Sequence, residues 1–206
     1  MDEYEVKSIE ENFTNNFFAD SCLMYQYLDE LELYTGSERS GQKFFDRPKG
    51  CIKPESTKYG WTWKSYLSPT KNREYDPAVG LYKTKLMVDY PHLLYLFKEY
   101  ANYHFPDFSW SQVTINKMES GCAIKEHIDK VNVGDSVLVA FGNYEGGRTH
   151  VENKETKGYD IIDCRQTITI FNGSQLKHKV DEIKSGKRYS LVFYNNKRNK
   201  KVNFVD

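Results

Sequence analysis

His127-Ile128-Asp129 sets an imidazole and a carboxylate two positions apart, and His178 follows far downstream. In an extended strand, residues i and i+2 face the same way, so His127 and Asp129 are expected to aim at one point. A histidine from a neighbouring strand then completes a facial set of two imidazoles and one carboxylate. That set leaves three coordination positions open, which is what non-haem iron(II) oxygenase chemistry requires. A bidentate acid and dioxygen would take them. By itself His-x-Asp is a common tripeptide, and a chain with five histidines supplies a distal one cheaply.

The stronger signal lies ten residues beyond His178, in Arg188-Tyr189-Ser190-Leu191-Val192-Phe193-Tyr194. This run reads as a strand with Arg188 and Ser190 on one face. A guanidinium fork matches a carboxylate in a bidentate pair. It suits the distal carboxylate of 2-oxoglutarate, with the Ser190 hydroxyl as a second donor. The alternative is a solvated strand arginine, which the upstream triad makes the poorer reading. Lys187 is adjacent but belongs to the opposite strand face. His92 and His104 flank a helix, and His150 follows a double glycine; all three are expected to be non-ligands.

These residues need a scaffold. Leu23, Met24, Tyr27, Leu28 and Leu31 recur at helical spacing, so a helix is expected from about Ser21 to Leu33, capped by Asp20 or Ser21. A second helix should start near Pro91. After Pro106 come short β runs: Gln112–Met118, Ser136–Phe141, Tyr159–Ile162, Thr167–Phe171 and Tyr189–Tyr194. Turn signals at Glu145-Gly146-Gly147, Asn172-Gly173 and Ser185-Gly186 separate them. Helices followed by many short strands predict an α+β domain, a jelly roll buttressed by N-terminal helices.

The length of 206 residues fits one domain. It divides into an acidic segment 1–34, a lid-like segment 35–90 and a helix-plus-jelly-roll core 91–206. Net charge is zero overall, but residues 1–34 carry −8 and residues 35–73 carry +6. The basic segment also holds Phe44, Phe45, Tyr59, Trp61, Trp63 and Tyr66. Bases interleaved with rings suit a nucleic-acid strand; a solvated loop with some core aromatics is the plain alternative. No apolar run approaches the roughly 20 residues of a spanning helix, and the acidic N-terminus is no secretory signal. Four scattered cysteines form no Cys-x-x-Cys pair. An intracellular monomer that does not engage a membrane is therefore expected.

Two stretches, with the turn between them, carry a family resemblance. They are His127-Ile-Asp129-Lys-Val-Asn132-Val-Gly134-Asp-Ser136-Val137 and Arg188-Tyr-Ser190-Leu-Val-Phe-Tyr194, with Gly142-Asn-Tyr144-Glu-Gly146-Gly147 between. They resemble the iron(II)- and 2-oxoglutarate-dependent oxygenases that act on nucleobases, the TET and J-binding-protein group, over roughly residues 112–196. AlkB is a more distant relative. Asn116, eleven positions before His127, matches the AlkB asparagine that contacts the cosubstrate near its metal-side carboxylate. AlkB has an aromatic two positions later, where this chain has Met118.

The resemblance implies a double-stranded β-helix using iron(II), 2-oxoglutarate and dioxygen, with ascorbate as reductant in vitro. It implies hydroxylation of a nucleobase methyl group, such as 5-methylcytosine, thymine or an N-methylated base, in DNA or RNA. Metal ligation then falls to His127, Asp129 and His178, and cosubstrate binding to Arg188, Ser190 and Asn116. Asn132 matches an asparagine at the target base, or else shapes the turn before Gly134. Tyr194 matches a tyrosine that stacks on the flipped base, or else is a core tyrosine at a strand end. Asn196 stands where TET enzymes have a base-contacting histidine, and the TET zinc-binding cysteines are absent. A protein or peptide hydroxylase on the same scaffold is the alternative function.

Overall fold

The computed structural model describes residues 7–10, 21–31, 54–62, 75–77, 80–165 and 167–197. Phe44, Phe45, Trp63 and Tyr66 and the Asp20 cap lie outside them, so most of the basic, aromatic segment expected to suit a nucleic-acid strand does too.

Two sheets face each other. The larger has nine strands in the order β1 (Lys7–Glu10), β11 (Thr167–Phe171), β7 (Asn132–Phe141), β13 (Ile183–Asn196), β5 (Gln112–Glu119), β2 (Glu55–Thr62), β4 (Leu81–Lys83) and β3 (Tyr75–Asp76), with β8 (Tyr144–Gly146) paired to β13. The smaller runs β10 (Gly158–Ile162), β9 (Thr149–Asn153), β12 (His178–Val180), β6 (Ile124–His127). All the strand pairings are antiparallel. This is the expected jelly roll.

Strand alternation divides the larger sheet into two faces. Val113, Ile115, Val137, Val139, Phe141, Tyr189, Leu191 and Phe193 pack against the helices α1 (Ser21–Glu30) and α3 (Leu93–His104). The short α2 (Lys85–Asp89) begins at Thr84, whose side chain accepts from the Met87 N–H. Met24 and Leu28 of α1 and Phe97 and Tyr100 of α3 are fully buried. Phe193 is the hub, with ring centroids 5.0 Å from Phe105, 5.1 Å from Trp110 and 6.1 Å from Phe97. The other face looks into the barrel. There Met118, Leu138, Ala140 and Phe171 meet Val151, Leu176 and Val180.

Several boundaries differ from expectation. α3 starts at Leu93 rather than Pro91, and the described part of α1 stops at Glu30. β7 begins at Asn132, so Asn132 and Gly134 are strand residues rather than a turn. Ser185-Gly186 is no turn either; it lies inside the fourteen-residue β13. Gly186 has φ +78°, and a Cβ there would meet the Asn143 carbonyl oxygen at 2.0 Å. The backbone thus bends within the strand as β13 leaves β8 and enters its long pairing with β5 and β7. The strands β2, β6, β8, β9 and β12 are too short, or too polar in pattern, to stand out as apolar runs.

Candidate metal centre and anion pocket

His127 ends β6, and its cross-strand partner in β12 is His178. Direct opposition in an antiparallel pair brings side chains within contact, and the two rings lie 4.2 Å apart, centroid to centroid. Asp129 is not in the strand, contrary to the expected i, i+2 strand geometry, because β6 stops at His127. A loop positions it instead. The Asp129 N–H donates to the Gly173 carbonyl (2.8 Å), and the Asn132 N–H donates to the Asp129 carbonyl (2.9 Å). The carboxylate then reaches both rings: Oδ1 is 3.7 Å from His127 Nε2 and Oδ2 is 3.7 Å from His178 Nε2.

One donor atom from each of His127, Asp129 and His178 lies within 4.8 Å of the others. The other ring nitrogens are committed. His127 Nδ1 is 2.9 Å from the Lys125 carbonyl, and His178 Nδ1 is 3.0 Å from the Leu176 carbonyl. A carbonyl only accepts, so both Nδ1 atoms carry the proton and both Nε2 lone pairs turn toward Asp129. Burial, then the neighbouring His127, hold the His178 imidazole below the ordinary histidine range, against the opposing pull of Asp129. A neutral imidazole is the ligating form. Two neutral imidazoles and a carboxylate gathered on one side fit a divalent first-row metal with open positions.

Deeper in the barrel lies Arg188, 1% exposed. Its guanidinium has only weak partners: Met118 Sδ at 3.6 Å and Thr149 Oγ1 at 3.5 Å. Its Nε has none, and no ion pair joins it to a carboxylate among the described residues. Burying an uncompensated charge is costly, so the pocket fits an anionic ligand. Ser190 shares the Arg188 face, as expected, and its Oγ accepts from Asn116 Nδ2 at 3.2 Å across the β5–β13 pair. Gly147, at φ +63°, makes room for this arrangement; a Cβ there would lie 2.4 Å from Ile183 Cδ1 and 3.1 Å from Arg188 Cδ. Lys187 points the other way and pairs with Asp29 of α1 at 3.1 Å.

Asn132 and Tyr194 lie in the same region but face inward. Asn132 is 3% exposed, and its Nδ2 donates to Asp129 Oδ2 (3.2 Å) and Ser136 Oγ (3.3 Å). Its amide nitrogen thus helps to orient the carboxylate. The Tyr194 hydroxyl donates to Gln112 Oε1 at 3.0 Å and accepts from Thr114 Oγ1 at 3.4 Å. Asn196 Nδ2 reaches the same Gln112 oxygen at 3.2 Å. The Lys58 ammonium sits 5.9 Å over the Tyr194 ring, and Tyr194 holds its pKa above the ordinary lysine range.

The other histidines stay apart from the triad. His150 pairs with Asp181 at 2.7 Å, His92 precedes α3 and His104 ends it. Sequence reasoning missed Gln112, Thr149 and Tyr144. Gln112 was within reach, since β-alternation puts it on the Asn116 face. Thr149 and Tyr144 belong to short strands with no pattern to flag them.

No family model matches the chain, and no curated protein sequence matches it. Solved structures do share its fold. One is NgTET1 in complex with 5mC DNA: 16% identity, TM-score 0.55, covering 95% of this chain and 74% of that one. Another is a Pseudomonas putida prolyl-4-hydroxylase: 10% identity, TM-score 0.53, covering 94% of both chains. The chain has the double-stranded β-helix fold that it shares with these two enzymes.

Proposed function

We propose that this chain is an iron(II)- and 2-oxoglutarate-dependent oxygenase that oxidises a methyl group on a nucleobase. The observation that carries the cofactor reading is the buried Arg188, with no carboxylate partner among the described residues, inside the barrel that also gathers His127, Asp129 and His178. His127 Nε2, His178 Nε2 and the Asp129 carboxylate hold the metal. Arg188, with Ser190 beside it, holds the distal carboxylate of the cosubstrate. Asn116 donates to Ser190 and would contact the acid near its metal-side carboxylate. Bound there, iron(II) with 2-oxoglutarate and dioxygen supplies C–H hydroxylation coupled to decarboxylation of the cosubstrate to succinate. The chain's own part is to fix both groups on rigid strands and keep water away from them.

The substrate reading rests on different residues. Tyr194 and Lys58 pair an aromatic ring with a cation, a combination that suits a base and its phosphate. A neighbour of the same fold is bound to 5mC DNA. A base must leave the stack to reach so enclosed a site. The other fold neighbour is a prolyl-4-hydroxylase, which keeps a peptide substrate as the second reading. The test supplies enzyme with iron(II), 2-oxoglutarate and ascorbate, and separately with methylated DNA, methylated RNA or proline-containing peptides. Mass spectrometry of nucleosides and peptides should find the added oxygen on a nucleobase. Oxygen on a peptide alone replaces the nucleobase reading, and the absence of any succinate overturns the oxygenase reading itself.

A further inference from the structure

Gln112 is buried, and both ends of its amide are in use. Nε2 donates to the Trp61 backbone carbonyl at 2.5 Å. A carbonyl only accepts, so this contact fixes which end of the amide is which. Oε1 faces the other way, toward the Tyr194 hydroxyl at 3.0 Å and Asn196 Nδ2 at 3.2 Å. An amide oxygen cannot donate, so the Tyr194 hydroxyl gives its proton to Gln112. Its lone pairs are left for Thr114 Oγ1, at 3.4 Å, and for the Lys58 ammonium, which lies 5.9 Å from the ring centroid. Tyr194 keeps that ammonium charged, by electrostatic attraction and then by accepting its hydrogen bond, and Asp129 of the metal centre adds its own attraction.

The other end of Gln112 also leads to Lys58. β2 carries Lys58 and pairs with β5 as far as Gly60, which stands opposite Gln112. Beyond it, Trp61 and Thr62 pair with β4. Gly60 has φ +123°, and a Cβ there would lie 3.0 Å from the Ser111 carbonyl oxygen. Glycine thus lets β2 turn away while the next carbonyl stays on Gln112. A ring closes across β2, β5 and β13: Gln112 to Tyr194, to Lys58, and back along β2 to Trp61. Two buried side chains, Gln112 and Tyr194, hold one exposed cation. A lysine side chain loses much rotamer freedom when it is held, so a surface lysine fixed beside a metal centre calls for a reason.

We infer that Gln112 is a positioning residue: through Tyr194 and through Trp61 it holds the Lys58 ammonium where the phosphate beside the target nucleotide arrives. This rests on the nucleobase reading. The readout is KM for the methylated DNA or RNA oligonucleotide that the wild type oxidises, with iron(II), 2-oxoglutarate and ascorbate in excess.

Gln112→Met keeps the side-chain length and removes both hydrogen-bonding ends. It should raise KM about tenfold, the scale of one lost hydrogen bond to a charged group, with kcat little changed. Lys58→Ala should raise KM as well and flatten its rise with added salt. The decisive measurement is the double variant. In the Lys58→Ala background, Gln112→Met should cost nothing further, because Gln112 acts through that lysine. Tyr194→Phe keeps the ring and loses only the hydroxyl, so it should give the same pattern even if Gln112→Met folds poorly. Losses that multiply in the double variants overturn the role of Gln112, as does a wild-type KM in either single variant. A wild type that oxidises a peptide and no oligonucleotide overturns the nucleobase reading, and the role of Gln112 with it.

Discussion

His127 and His178 face each other across the β6–β12 ladder, and each gives its Nδ1 proton to the backbone carbonyl two residues before it. The two rings are therefore oriented through the backbone of the strands that carry them, and Phe171 packs edge-on against His178 with ring centroids 5.1 Å apart. Asp129 has no such built-in support and depends on Asn132.

That dependence is measurable. Asn132→Ala removes the donor at 3.2 Å from Asp129 Oδ2. Metal affinity should fall by roughly 10–100-fold, the usual effect of losing such an orienting partner. Asp129→Ala should abolish specific binding of one metal per chain. Calorimetric titration with manganese(II) checks both, and unchanged affinity in Asn132→Ala would mean that the loop alone holds the carboxylate.

The anion pocket should respond to the space beneath it. Gly147→Ala places a methyl group 2.4 Å from Ile183 Cδ1 and 3.1 Å from Arg188 Cδ, at a φ that disfavours alanine. A loss of about 1–3 kcal/mol in folding stability is expected from overpacking, with weakened 2-oxoglutarate binding. Arg188→Ala should abolish that binding while manganese(II) still binds. Denaturant titration and calorimetry separate the two effects.

Phe193 is fully buried among Phe97, Phe105 and Trp110, on the face away from the pocket. Phe193→Ala should cost about 3–5 kcal/mol of stability, as large-to-small core changes do. Any metal bound by the fraction that remains folded should be held normally. Urea unfolding followed by circular dichroism gives the number.

Asp29 ties α1 to β13, accepting from the Tyr189 hydroxyl at 2.7 Å and pairing with Lys187 at 3.1 Å. The Tyr189 hydrogen bond, then Lys187, hold its carboxyl below the ordinary aspartate range. A carboxyl with a lowered folded-state pKa stabilises the fold above its unfolded value of about 4. That contribution disappears as the pH falls through the folded value. The group is partly exposed, so the effect should stay below about 1 kcal/mol. Comparing the wild type with Asp29→Asn between pH 7 and pH 3, the stability gap should be present at pH 7 and close toward pH 3. A gap that widens on acidification contradicts the assignment.

Much of this site could be read from residue order because its parts sit on regular strands. Arg188 and Ser190 share a face by alternation, and β13 delivers them as that rule says. The position of Asp129 followed a different rule. Its side chain meets the histidines because of a loop fixed by the Gly173 carbonyl, a contact between residues far apart in sequence. Asn132 shows the same limit. Its spacing behind the histidine suggested a base contact, whereas the fold turns its amide onto Asp129. Tyr144 could not be singled out at all. A three-residue strand has no period to read, and only the finished barrel brings its ring within 5.9 Å of the Arg188 guanidinium.

The length of β13 has a consequence for how such a chain can change. Odd positions 189, 191 and 193 anchor the helices, and even positions 188 and 190 serve the pocket. Inserting one residue before Lys187 within the strand would exchange the two sets, burying Lys187 where the arginine belongs, and deleting one would put Tyr189 there. Loops elsewhere can grow or shrink and retune what the barrel accepts. This strand can be altered only by replacing one side chain with another, so length variation among descendants of this chain should spare it.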